Sequence, residues 1–266
     1  MTKIDELIEW FDDKNKPIVA LSGGVDSALV AYAAYQSRKA FSLAVTADYK
    51  TLAHDELESA KKICYEIGIR HTIIEYNELE NIEFVKNDKT RCFHCRTELS
   101  AHLIEIAKKE NTDLIVDGTN LDDLKDHRPG IKALKEKGVK SPLVEIGFTK
   151  DEVRNYAKSV GLSVYDRPSN SCLASRIPWG QHVTAERLAR IESGEIMIKQ
   201  LFGIKQIRLR DLDGIARIEV LPEDIKLLAD KNKFTKLDLE LKKIGFKSLF
   251  VDPEGYRTGK LNVITD

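Results

Sequence analysis

Short apolar runs alternate with helical periodicity through the first two thirds of the chain. Residues 17–21, 41–45, 71–74 and 113–116 are brief and rich in β-branched side chains, the signature of buried strands. Between them, residues 27–37, 55–68 and 98–110 repeat apolar positions at the three-to-four spacing of helices. Such alternation predicts an α/β fold, a parallel sheet with helices on both faces. From about residue 181 the texture changes. Residues 184–201 predict a long helix stopped by Gly203, and 205–212 and 215–221 flank the hairpin pair Asp213-Gly214. Helical patterns at 222–231 and 236–244 and a returning strand at 247–251 complete an α+β pattern. The predicted organisation is a parallel-sheet domain over 1–180 and a smaller α+β domain over 181–266.

Of 266 residues, 42% are hydrophobic and 32% charged, enough apolar material for a proper core. The net charge of −1 gives no broad basic surface, which argues against nucleic acid as a partner. Neither a signal-peptide run nor a membrane-length apolar stretch is present, so the expected location is the cytoplasm, without a membrane. Four cysteines are too few for a disulfide framework in a chain this long; in a reducing compartment a Cys-x-x-Cys pair signals metal or redox chemistry.

The sharpest motif is Ser22-Gly23-Gly24-Val25-Asp26-Ser27, between the first strand and the first long helix. Paired glycines allow close backbone approach to a ligand, and amides at a helix start favour an anion. Asp26 beside a phosphate requires a bridging Mg²⁺. The loop lacks the Gly-Lys-Ser/Thr of P-loop NTPases and the Gly-x-Gly-x-x-Gly of dinucleotide folds. It resembles the PP-loop of the N-type ATP pyrophosphatases, which implies cleavage of ATP between its α and β phosphates. A second element, Asp117-Gly118-Thr119-Asn120-Leu121-Asp122-Asp123, follows a strand end, where such sheets face their ligand crevice. Gly118 and, from strand-end position alone, Ala47-Asp48 are candidate ATP contacts, and Asp122 a second candidate Mg²⁺ ligand.

Cys64 falls at helical spacing with Leu57, Ala60 and Ile67 and reads as core. Cys92-Phe93-His94-Cys95 lies between Arg91 and Arg96, cations that favour thiolates, and Cys172 lies in a loop-like stretch ending at Arg176. Spacing alone leaves open a zinc site completed by His94, a [4Fe-4S] cluster with one open iron, or no shared site. On the opposite side of the predicted boundary, Arg208 and Arg210 share one strand face, and with Arg217 on the paired strand they are candidates to clamp a phosphate.

Several stretches together resemble the LarE-type ATP-dependent sulfur transferases: the Ser22–Ser27 loop, Arg91 to Cys95, Asp117 to Asp123, Asp126-His127-Arg128-Pro129-Gly130, Ser141-Pro142-Leu143, Ser171-Cys172-Leu173-Ala174-Ser175-Arg176, and the arginines at 208, 210, 217 and 257. The resemblance spans nearly the whole chain. It implies a nickel-pincer nucleotide pathway enzyme that adenylates a carboxylate of pyridinium-3,5-biscarboxylic acid mononucleotide and converts it to a thiocarboxylate. ATP, Mg²⁺ and a [4Fe-4S] cluster on Cys92, Cys95 and Cys172 are the implied cofactors. Arg176 joins the implied phosphate ligands, sulfide or another sulfur donor is the implied partner beside other enzymes of that pathway, and 181–266 becomes a substrate-binding or oligomerisation domain of a homo-oligomer. The alternatives are the same reaction with Cys172 as a sacrificial donor, and a PP-loop tRNA thiolase. An amide-forming synthetase leaves the cysteines unexplained, and a non-catalytic nucleotide or zinc binder predicts no pyrophosphate release.

Overall fold

The computed structural model describes residues 1–125 and 129–257; Asp126, His127 and Arg128 of the family-like stretch lie outside the described residues. In chain order the helices are α1 (Lys3–Glu9), α2 (Val25–Arg38), α3 (His54–Ile67), α4 (Ile82–Val85), α5 (Arg91–Glu110), α6 (Pro129–Glu136), α7 (Pro142–Ile146), α8 (Lys150–Ser159), α9 (Ala185–Phe202) and α10 (Lys231–Lys243). The strands are β1 (Ile18–Ala20), β2 (Leu43–Asp48), β3 (Arg70–Glu75), β4 (Ile115–Val116), β5 (Ile207–Leu212), β6 (Ile215–Val220) and β7 (Ser248–Val251). None of the described helices is long and apolar enough to cross a membrane.

The chain divides into two compact units, residues 1–78 with 90–170, and residues 79–89 with the chain from Ser171 onward. The second unit therefore takes up the Cys172 stretch, which the sequence grouped with the first 180 residues, and borrows an internal segment that periodicity did not reveal. Asn87 shows why that segment belongs there. Its buried amide donates to the carbonyls of Pro178 and Gln181 at 2.8 and 2.7 Å, and its carbonyl accepts the Gly180 amide at 2.9 Å.

The first unit is a parallel sheet of order β3-β2-β1-β4. Register Ile18↔Leu43 and Val19↔Ala44 sets the alternation: Val19 and Ala44 face α2 and α8, whereas Ile18 and Leu43 face α5 and α6. Burial on both faces explains why these strands read as unbroken apolar runs. The second unit packs α9 and α10 on a mixed sheet, β5-β6 antiparallel and β6-β7 parallel. Its hairpin turns where expected, with Asp213 and Gly214 at φ +53 and +88°. The expected helix at 222–231 is a 3₁₀ turn over Pro222–Ala229.

Candidate functional site

The nucleotide loop follows β1 directly. Gly23 holds φ +81°, and a Cβ there would stand 2.3 Å from the Glu56 carbonyl oxygen, so only glycine fits. Gly24 begins α2 without a side-chain cap, leaving the first amides of a fourteen-residue helix for an anion. The Ser27 hydroxyl accepts the Ser22 amide at 3.2 Å and donates to the Gly24 carbonyl at 3.1 Å, closing the loop on itself. Gly118 presses on it from β4: a Cβ would approach the Ser27 nitrogen to 2.5 Å. Ala47 is the penultimate residue of β2, at the same C-terminal edge of the sheet.

Asp26 points back into the protein. Asn120 donates to its Oδ1 at 3.0 Å, and the Lys150 ammonium pairs with Oδ2. Lys150 is the first residue of α8, whose Thr149–Glu152 capping box fixes where that helix starts. Asp122, expected beside Asp26 on Mg²⁺, instead accepts Lys125 Nζ at 2.6 Å and the Lys150 amide at 2.7 Å, and both bonds hold its carboxyl below the usual range. Both candidate Mg²⁺ carboxylates are thus engaged by protein donors, Asp26 by an amide and an ammonium and Asp122 by an ammonium and a backbone N–H. Asp117 is also committed, accepting the Thr119 and Ser141 hydroxyls at 2.6 and 2.7 Å.

The helix expected from residue 98 begins seven residues earlier, and Cys92 and Cys95 occupy its first turn. Three residues apart, they share a face, Cys92 exposed and Cys95 half-buried. His94 bonds Thr90 Oγ1 at 3.1 Å. Burial opposes the Arg96 charge, yet Tyr49, Cys95, Asp117 and Cys92 around it raise its pKa. Because Tyr49 follows β2 and Asp117 follows β4, this turn stands over the sheet edge that carries the nucleotide loop. Cys64 is core, as expected, its thiol pushed up to about 12 by burial. Among the described residues no group of three or more His, Cys, Asp or Glu gathers to hold a metal. The Cys92–Cys95 turn offers two thiols to a cluster, a donor pair of the right chemistry.

In the second unit, half-buried Cys172 precedes a 3₁₀ turn, Leu173–Arg176, that Arg176 builds. The Arg176 Nη1 donates to the Ser171 and Cys172 carbonyls at 2.5 and 3.1 Å, while Nε and Nη2 reach Glu195 at 2.8 and 3.1 Å. Fully buried, Arg176 shapes the Cys172 loop. The opposed pairs Arg208↔Glu219 and Arg210↔Arg217 put these side chains on one face of the hairpin. Glu219 accepts Arg210 Nη2 at 2.8 Å and forms an ion pair with Arg217 at 2.7 Å; Asp252 lies 3.7 Å from Arg217. Arg208 stacks 5.2 Å from the Tyr256 ring, and burial followed by repulsion from Arg176 lowers its pKa. Glu195 and the Tyr256 side chain favour the Arg208 charge, so arginines and carboxylates are interleaved here.

Sequence reasoning missed Lys150, Asn120 as the hold on Asp26, and the carboxylates Glu195 and Glu219. The Thr-x-x-Glu box at Thr149 was a usable signal for Lys150; the carboxylates had none, since each lies inside a regular element.

Residues 16–120 match the family of the queuosine biosynthesis protein QueC. An uncharacterized protein of Synechocystis sp. is 38% identical over 261 residues, covering 98% of this chain and 97% of its own. The pyridinium-3,5-bisthiocarboxylic acid mononucleotide synthase of Lactiplantibacillus plantarum is 29% identical over 268 residues, 98% of this chain and 94% of its own. A tRNA-specific 2-thiouridylase MnmA of Clostridioides difficile is 24% identical over 222 residues, 67% of this chain and 61% of its own.

Proposed function

The chain belongs to the LarE-type family of PP-loop, ATP-using sulfurtransferases, and from that premise we propose that it thiolates a carboxylate of pyridinium-3,5-biscarboxylic acid mononucleotide, for a nickel-pincer nucleotide. The observation that carries the reading is the thiol turn of α5 beside the sheet edge that bears the nucleotide loop. The amides opening α2 hold the triphosphate; Asp26 would hold a Mg²⁺ ion, which would neutralise phosphate charge, and Lys150 offsets the charge that Asp26 adds. The substrate carboxylate attacks the α-phosphorus, pyrophosphate leaves, and the acyl adenylate forms. A sulfur nucleophile then adds to the acyl carbon and AMP departs with the C–O electron pair. Arg208 and Arg210 bind the substrate's phosphate, Arg217 orients Glu219 against them, and Arg176 fixes the loop that presents Cys172.

Cys92, Cys95 and Cys172 would hold a [4Fe-4S] cluster, which supplies sulfide when bound. The enzyme works as a homo-oligomer in the cytoplasm and draws on sulfide or another small sulfur donor. The test is iron, sulfide and zinc content of anaerobically purified protein, wild type beside Cys92→Ala, Cys95→Ala and Cys172→Ala. About four irons and four sulfides per chain, lost in every variant, are expected. An iron-free protein whose Cys172 loses one sulfur's mass in a single turnover overturns the cluster and makes Cys172 the donor. A chain that thiolates tRNA and leaves the mononucleotide unchanged overturns the substrate.

A further inference from the structure

The nucleotide loop is held from behind by a set of residues that no step above uses. Ser59 Oγ and Arg167 Nη1 donate to the Gly23 carbonyl at 2.8 and 3.1 Å. In a planar trans peptide the carbonyl and the next N–H point in opposite directions. Fixing the Gly23 oxygen therefore fixes the Gly24 N–H on the opposite side, the direction from which an anion meets the start of α2.

The same guanidinium reaches further. Arg167 Nη1 also pairs with Glu56 Oε2 at 2.7 Å, and Nη2 donates to the Asp55 carbonyl at 3.0 Å. The other Glu56 oxygen, Oε1, accepts Asn170 Nδ2 at 3.0 Å. Glu56 is only 8% exposed, so its buried carboxyl oxygens depend on these donors for hydrogen bonds. Its backbone oxygen is also the atom that forbids a side chain at Gly23. Arg154 on α8 completes the hold, donating to the carbonyls of Tyr165 and Arg167 at 2.8 and 3.0 Å. Asn170 stands two residues before Cys172.

We propose that Glu56, Arg167 and Asn170 are positioning residues that couple the nucleotide loop to the segment delivering Cys172. Anion binding at the Gly24 amide acts on the Gly23 peptide, the peptide on Arg167, Arg167 on Glu56, and Glu56 on Asn170. Sulfur delivery is thereby timed to the presence of nucleotide, before the adenylate can be lost to water. This coupling rests on the ATP reading above. It adds that occupancy at Ser22–Ser27 tightens the chain at Cys172 through these contacts.

Hydrogen–deuterium exchange of the purified full chain, with and without the Mg²⁺ complex of an ATP analogue uncleavable between its α and β phosphates, tests this. In wild type, exchange is expected to slow about tenfold in peptides covering both 21–28 and 168–176. In Asn170→Ala the first response stays and the second is lost; in Arg167→Met both weaken. A merely structural Asn170 would raise exchange at 168–176 equally with and without nucleotide. An undiminished nucleotide response at 168–176 in Asn170→Ala overturns the coupling while leaving the ATP reading intact. No response at 21–28 in wild type overturns the ATP reading and the coupling with it.

Discussion

Replacing Gly118 by alanine isolates the contact between the β4 loop and the nucleotide loop. The backbone at 118 has no left-handed φ, so the substitution carries no conformational cost of its own. The cost is steric: the new Cβ would sit 2.5 Å from Ser27 N, 2.8 Å from Ser27 Cα and 2.9 Å from the Asp26 carbonyl carbon. All three are backbone atoms, which cannot rotate away. Restoring ordinary contact displaces the start of α2 by about 0.9 Å. Misplacing a catalytic element by 1 Å costs on the order of a hundredfold in rate, and overpacking about 1–3 kcal/mol in stability. Pyrophosphate release followed as kcat/KM, beside a thermal melt, separates the two. Gly194→Ala in α9 is the control. Its Cβ would meet Leu209 Cδ2 at 2.2 Å, a harder clash, but with a side-chain tip in the other unit's core. The control is expected to lower the melting temperature and leave KM for ATP unchanged below it, whereas Gly118→Ala raises that KM. A folded Gly118→Ala protein within threefold of wild type would refute the inference that this contact places the loop.

Lys150→Met removes the cation paired with Asp26 and leaves that carboxylate's charge unbalanced beside the nucleotide loop; pyrophosphate release is expected to fall about a hundredfold, and Lys150→Arg to restore part of it. Arg208→Met is expected to raise KM for the mononucleotide about tenfold with little change in kcat, as loss of one charge-assisted phosphate contact. Glu78 gives a pH signature. Burial raises its carboxyl from 4.5 to about 7 against the hydrogen bond from Thr51, so the folded protein holds that proton more tightly than the unfolded chain. Stability from this group is whole below pH 4.5 and lost as pH rises through 7, by at most about 3 kcal/mol. Denaturant melts from pH 5 to 8 should show that loss in wild type and not in Glu78→Gln.

The doubly buried strands and the hairpin were legible because each leaves a local signature, in apolar runs and in Asp213-Gly214. Helix starts were less so: Cys92, Phe93 and His94 are weak helix formers and the N-cap Thr90 side chain makes no bond to the first helix amides, so the start of α5 carries little local signature and periodicity registered it only from residue 98. That shift matters chemically, because it turns Cys-x-x-Cys from a loop into one face of a helical turn. Charge partners were illegible for a different reason. Arg176 meets Glu195 and Asp26 meets Lys150 across 19 and 124 residues, and no spacing rule joins them. A basic strand such as Arg208-Leu209-Arg210 therefore signals that anions matter there, whereas only the fold shows that Glu219 answers Arg210 and Arg217, while Arg208 lies against the Tyr256 ring with burial and Arg176 opposing its charge and Glu195 favouring it.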